Sequence, residues 1–336
     1  MDLIEKSILD ALMVNMAYKP SERVIIITQR WTPGLGDKKI FSQTSATAGK
    51  MRDVFKREKI DSVLIDYIPS EARNGVDATD ELYSKVDELG KADVIFMVTA
   101  YSLTHTPFRK SLTKTGARIA SMPGFTLEMF SKGGPMSLDY NKVAKQTVMV
   151  ASELRKSSRV RVTGKGTEMT VEIDNSLVFE GSGIIDKRGM YDNLPGAEAF
   201  AVPKHRGKTD GYFTVPKGWG GQQPIRCDAK FIVKDGAIVD VQAQDSKDQD
   251  YIDKEIKPLI LGKPDHNVIA ELGIGTNPNV TPQYIKKHGW SALLAEKIIG
   301  SAHFANGNSA AMGGKNNVPV HIDWVVPDVK IEYLRK

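Results

Sequence analysis

Short apolar runs and longer helical patterns alternate through the first 150 residues. VIIIT (24–28), SVLIDY (62–67), DVIFMVT (93–99) and ARIASM (117–122) are brief and rich in β-branched residues. Between them lie segments with helical spacing, such as SATAGKMRDVFKREK (45–59) and ATDELYSKVDELG (78–90). Strands separated by helix-length segments predict βαβ units and a parallel sheet. A further helix is predicted over 139–156, with Asp139 able to cap it. Beyond it the texture changes. RVRVTGKGTEMTVEID (159–174), DAKFIVKDGAIVDVQAQ (228–244) and VHIDWVV (320–326) alternate apolar and polar positions around glycine turns, and KDGA (234–237) is a hairpin signal. Helical patterns return only near 247–260 and 281–288.

The boundary implied by this change lies near residue 155. Residues 1–155 read as an α/β domain with a parallel sheet of Rossmann or flavodoxin-like type. Residues 156–336 read as an α+β domain with an antiparallel sheet. A chain of 336 residues exceeds the usual size of one core, which agrees with two domains.

Composition narrows the function classes. No run of about 18 apolar residues occurs, so no membrane span is expected. MDLIEKSILDALMVN at the N-terminus carries Asp2, Glu5 and Asp10 and lacks a basic leading segment. It reads as an amphipathic helix and not as a signal peptide, and a cytoplasmic location is the expectation. Cys227 is the single cysteine, so neither an intrachain disulfide nor a thiolate metal cluster is available. The net charge of +5 is spread over clusters such as DKK, KREK and KKH, which read as solvated faces and not as a nucleic-acid track. The loop after the first strand, TQRWTPGLGDKK, lacks the full glycine spacing of a dinucleotide fingerprint.

The polar residues that look out of place fall in four segments of the second half. Glu198 sits in YDNLPGAEAF (191–200), Glu271 in AELGIGTNP (270–278) and His303 in EKIIGSAHFANG (296–307). His321 and Asp323 stand two apart within a valine-rich run, and residues two apart on a strand share a face. An uncompensated charge in such surroundings costs several kcal/mol. A divalent cation would compensate, and His, Asp and Glu are the expected ligands of Zn, Mn, Fe or Co. His303, His321 and Asp323 alone could form a mononuclear Fe(II) facial triad. With Glu198 and Glu271 added, the inventory suffices for two cations that share a bridging carboxylate, the arrangement of metallohydrolases. The residues permit both an oxygenase and a hydrolase. His105 follows the third strand and reads as a cap or surface residue, His205 and His288 as exposed, and His266 as a possible supporting group.

The ordered segments NLPGAEAF, ELGIGTNP, GSAHFANG and VHIDW resemble the M29 aminopeptidase family, of the aminopeptidase T type. HTPFRK, SMPGFTLEMF (121–130) and RVRVTGKGTEMTVEI extend the likeness over most of the chain. The resemblance implies that Glu198, Glu271, His303, His321 and Asp323 are metal ligands, with Glu198 or Glu271 bridging or acting as general base. It implies a pair of Zn, Co or Mn ions, a two-domain protomer that is commonly a dimer, and peptides with a free N-terminus as substrates. Two departures stand out. Ala310 occupies the place of a family tyrosine that follows the H-x-A-x-G motif, and ELGIGTNP differs from the family's Gly-Glu segment. The chain also resembles a related group, the 2,5-dihydroxypyridine 5,6-dioxygenases, which hold one non-haem iron and likewise end their site with H-x-D. That likeness implies Fe(II) and a dihydroxypyridine-like aromatic substrate.

Overall fold

The computed structural model describes residues 2–221 and 223–335. Its contacts divide the chain into two compact units, one holding the chain up to Ala144 together with Gly183–Gly196, the other holding Lys145–Ser182 and Ala197 onward.

The first unit is built as the alternation predicts. Helix α1 (Leu3–Asp10), capped by the Asp2 carboxylate on Glu5 N, runs into a π-helical turn over Ala11–Asn15. There follow β1 (Val24–Gln29), α2 (Lys38–Arg57), β2 (Ser62–Tyr67), α3 (Asp80–Leu89), β3 (Val94–Met97), α4 (Pro107–Lys114) and β4 (Arg118–Ser121). The strands pair in parallel in the order β2-β1-β3-β4. Every residue of β1, β3 and β4 is buried, as expected when helices cover both faces of a parallel sheet. Ile25, Ile27, Ile95, Met97 and Ile119 pack with Leu82, Val86, Phe108 and Leu112 of α3 and α4. Burial of each such side chain contributes about 1.5–3 kcal/mol.

Helix α5 (Tyr140–Arg155) carries the chain across the unit boundary, which falls between Ala144 and Lys145. The division differs from a single cut near 155 in a second respect. After β5 (Arg159–Gly164) and β6 (Thr167–Gly181), the short strand β7 (Tyr191–Asn193) pairs in parallel with β4, Ile119 opposite Tyr191. Residues 183–196 therefore belong with the first unit. Three residues are too few to carry a periodic signal, so the pattern along the chain did not reveal β7.

The second unit is a curled, mostly antiparallel sheet. Its further strands are β8 (Glu198–Pro203), β9 (Asp210–Val215), β10 (Ala229–Lys234), β11 (Ala237–Ala243), β12 (Ile269–Gly275), β13 (Ala302–Gly307), β14 (His321–Val326) and β15 (Lys330–Leu334). They run in the order β11-β10-β9-β6-β8-β12-β13-β14, and β5 bridges β15 to β6. The KDGA hairpin joins β10 to β11 with Asp235 at φ 50° and Gly236 at φ 74°, the left-handed pair that a two-residue turn requires. The remaining helices are short: α6 (Gln249–Tyr251), α7 (Lys257–Leu261), α8 (Pro282–His288) and α9 (Ala292–Ala295). Phe213 stacks between Phe231 and Phe304, and Phe231 meets Trp324, so the sheet curls around a shared aromatic core. Cys227 is buried and unpaired, and burial raises its thiol above the ordinary range. Among the described residues no helix is long and apolar enough to cross a membrane.

Candidate metal centre

Strand register brings the five singled-out residues to one face. Glu198 on β8 stands opposite Gly275 on β12, and Gly273 stands between Phe200 and His303. Glu271, Ala305 and Asp323 form one rung across β12, β13 and β14, and Gly307 lies opposite His321. Directly opposed residues share a face. The intervening positions on this face, Gly273, Gly275, Ala305 and Gly307, are small and leave space above the sheet. The other face of the same strands carries Leu272, Phe304, Trp324 and Val326 into the core.

The donor atoms form a chain with Glu271 in the middle. His303 Nε2 lies 3.2 Å from Glu271 Oε1 and 3.6 Å from Glu198 Oε2. His321 Nε2 lies 3.5 Å from Glu271 Oε2 and 3.4 Å from Asp323 Oδ1. Each oxygen of Glu271 thus faces a different histidine. Glu271, His321 and Asp323 form a group whose ligand atoms all lie within 4.8 Å of one another. The triad of His303, His321 and Asp323 is not the set that converges there; Glu271 takes the place of the second imidazole.

The ring of His321 is oriented from behind. Its Nδ1 lies 2.7 Å from the Asn308 carbonyl, so Nδ1–H donates there and Nε2 is the ring atom turned toward the carboxylates. His303 lies over Gly273, where a Cβ would come within 2.0 Å of its ring. The residue before Glu198, Ala197, has φ 89°, an uncommon conformation for a residue with a side chain.

Burial and neighbours set the charges. Burial alone would raise Glu271, but the two histidines beside it outweigh burial and hold its carboxyl below the usual range. Asp323 is likewise lowered, burial being overcome by His321. Burial opposes a charge on His303, yet Glu271, Glu198 and Asp323 push it up to about 9. His321 is raised by Asp323 and Glu271 in the same way.

Two residues of the centre were missed in the sequence. Lys297 has no solvent exposure, and its ammonium lies 2.6 Å from Glu198 Oε1 and 3.1 Å from Glu296 Oε2. Burial disfavours that charge, but the two carboxylates hold the amine protonated. Glu296 is pushed up to about 7, chiefly by burial. An adjacent Glu-Lys pair ordinarily signals a solvated surface. The available hint was the apolar IIG that follows it. The other residues weighed in the sequence lie elsewhere. Ala310 is exposed on a 3-10 turn (Ala310–Met312), and His105 and His205 are exposed. His288 is exposed and stacks on Tyr284. His266 is buried, and its carbonyl accepts from Asn306 Nδ2 at 2.6 Å.

The residues present fit divalent ions. Glu198 Oε2, which faces His303, is buried without a hydrogen-bond partner. Ligands bound at about 2.1 Å in tetrahedral or octahedral geometry stand roughly 3.0–3.5 Å apart. Three of the four donor separations above fall in that range, and His303 to Glu198, at 3.6 Å, lies just beyond it. Such an arrangement can hold a cation between Glu271, His321 and Asp323, the one group among the described residues whose ligand atoms all converge.

The family model described as NicX, 2,5-dihydroxypyridine 5,6-dioxygenase, matches residues 12–333. The chain belongs to this family. It is also 27% identical over 184 residues to aminopeptidase PepS of Streptococcus thermophilus, a match that takes in 50% of this chain and 43% of that protein. The matched stretch therefore spans less than half of that relative. Among solved structures, the 2,5-dihydroxypyridine dioxygenase of Pseudomonas putida KT2440 has a TM-score of 0.75 at 16% identity, covering 98% of this chain and 93% of the other. AmpT of Thermus thermophilus has a TM-score of 0.61 at 13% identity, covering 99% and 95%. At these identities the structural likeness establishes the shared fold. The chain is thus similar in fold to a dioxygenase and in part of its sequence to an aminopeptidase, and the donor set must decide between them.

Proposed function

We propose that this protein is a metal-dependent hydrolase of aminopeptidase type, with a pair of divalent ions (Zn, Co or Mn) held by Glu198, Glu271, His303, His321 and Asp323. The observation that carries the reading is Glu271, with one carboxylate oxygen facing His303 and the other facing His321. A bridging carboxylate has that geometry. Ions bound there would polarise a carbonyl and acidify a water near neutral pH. The protein's own contribution is to hold the donors. Asn308 fixes the His321 ring, Gly273 admits the His303 ring, and Lys297 takes Glu198 Oε1 and leaves Oε2 to be offered. Phe200, on the same rung as His303 across Gly273 and stacked on Phe179, gives half-buried apolar surface on the same face, suited to an apolar substrate side chain.

The second reading, an Fe(II) ring-cleaving dioxygenase, is favoured by the family description and by the Pseudomonas neighbour's fold. Against it stands the tight cluster's one imidazole and two carboxylates, where a facial triad has two histidines and one carboxylate.

Purified protein loaded with Co2+ or Mn2+ is expected to hydrolyse leucyl p-nitroanilide between about pH 6 and 9. No hydrolysis with any divalent metal, together with one iron per chain and oxygen uptake on a dihydroxypyridine, would replace the first reading by the second.

A further inference from the structure

Lys297 is the one lysine paired to a donor of the centre among the described residues, and holding ions does not of itself require it. Its position is enforced by backbone. Asn277 N donates to the Lys297 carbonyl at 2.9 Å, Lys297 N donates to the Leu294 carbonyl at 3.0 Å, and Gly275 N donates to the Ser301 carbonyl at 3.3 Å. Gly275 makes this approach possible, because a Cβ there would stand 2.2 Å from the Ile298 carbonyl oxygen. The side chain is unexposed, and its ammonium lies between Glu198 and Glu296.

The consequence is an electrostatic inequality. Glu198 Oε1 touches the ammonium, and Glu198 Oε2 faces His303. A cation placed between Oε2 and His303 would sit one carboxylate away from a buried positive charge, in surroundings that screen poorly. At the other end, Glu271 and Asp323 pair only with histidines among the described residues. No lysine or arginine opposes a cation there.

We propose that Lys297 is a resident cation that makes the two subsites unequal. The Glu271, His321 and Asp323 subsite then holds its ion tightly, while the Glu198, His303 and Glu271 subsite holds one weakly and exchanges it. The proposal rests on the metal-centre reading above. It makes occupancy of the second subsite, and with it the state of the enzyme, depend on metal supply.

The test is a calorimetric titration of the metal-free full chain with Mn2+, which needs no activity. The wild type is expected to show two classes of site whose dissociation constants differ by about tenfold or more. Lys297→Met keeps the apolar stem and removes the charge. It is expected to tighten the weaker class by about tenfold or more and leave the tighter class in place. Loss of the buried cation lowers the melting temperature on either view, whereas a merely structural role for Lys297 would weaken both classes of site. Glu296→Gln, at a partly exposed position and titrated above pH 7 where that carboxyl is ionised, removes a negative charge from the ammonium's other side. It is expected to loosen the weaker class by about threefold or more, and it serves if Lys297→Met does not fold. A wild type taking up one ion where Lys297→Met takes up two supports the proposal in its limiting form. Two equal sites in the wild type overturn it, as does a weaker class that Lys297→Met leaves unchanged or loosens. Failure of the underlying reading looks different: no divalent binding in the wild type, with Asp323→Ala indistinguishable from it.

Discussion

The Gly273→Ala substitution adds one methyl group and tests the geometry of the centre directly. The new Cβ would stand 2.0 Å from His303 Cε1 and Nε2, where ordinary contact begins at 3.4 Å, so the ring must withdraw by the difference, about 1.4 Å. His303 is 1% exposed and has little free volume into which to move. Its Nε2 stands 3.2 Å from Glu271, and that contact is lost on withdrawal. Overpacking of this kind costs about 1–3 kcal/mol of stability. Displacing an imidazole that would ligate is expected to weaken the ion at the His303 subsite by about 10- to 100-fold, the scale seen when groups that orient metal ligands are removed. The assay is a paired thermal melt and calorimetric Co2+ titration, with Gly49→Ala as control. Gly49 lies in α2 with nothing within 4 Å of a built Cβ, so alanine there is expected to be neutral or stabilising. If Gly273→Ala bound Co2+ with wild-type stoichiometry and affinity, His303 would not stand where a metal ligand must, and the centre as described would be wrong.

Three further outcomes follow from the same structure. His303, pushed up to about 9, and His321, also raised, must shed protons before an ion can bind, so apparent affinity should rise with pH up to about 9. Calorimetry in buffers of different ionisation enthalpy should detect proton release, and a pH-independent affinity between 6.5 and 9 would contradict the assignment. In the metal-free protein the sign reverses. A raised histidine stabilises the fold below its unfolded pKa of about 6.5, and that contribution fades as pH climbs through about 9, so the apoprotein should melt lower at pH 9 than at pH 6. At the back of the sheet, fully buried Asn306 accepts from Trp324 Nε1 at 2.7 Å and donates to the His266 carbonyl at 2.6 Å. Asn306→Leu orphans both partners and should cost about 2–4 kcal/mol in a denaturant titration, and a loss below about 0.5 kcal/mol would mean that the pair is solvated.

What the chain determined by itself is what depends on near neighbours. The period-two and helical patterns marked β1 to β4, the hairpins β5–β6 and β10–β11, and helices α2, α3 and α5, because side-chain alternation and turn chemistry act over a few residues. Glu198, Glu271, His303, His321 and Asp323 were conspicuous for a local reason too, each being a polar group in an apolar context. Which oxygen faces which histidine was decided only by tertiary structure, since it depends on the register of strands up to 125 residues apart in the chain, Glu198 on β8 and Asp323 on β14. The return of residues 183–196 to the first unit through β7 is equally non-local. Lys297 shows the difference most sharply. Beside Glu296 in sequence it has the appearance of a solvated charge, and only backbone bonds to Asn277 and Leu294, with the space left by Gly275, turn it into a buried cation against Glu198. Local pattern records what a residue prefers, whereas burial and charge pairing depend on what long-range strand pairing places beside it.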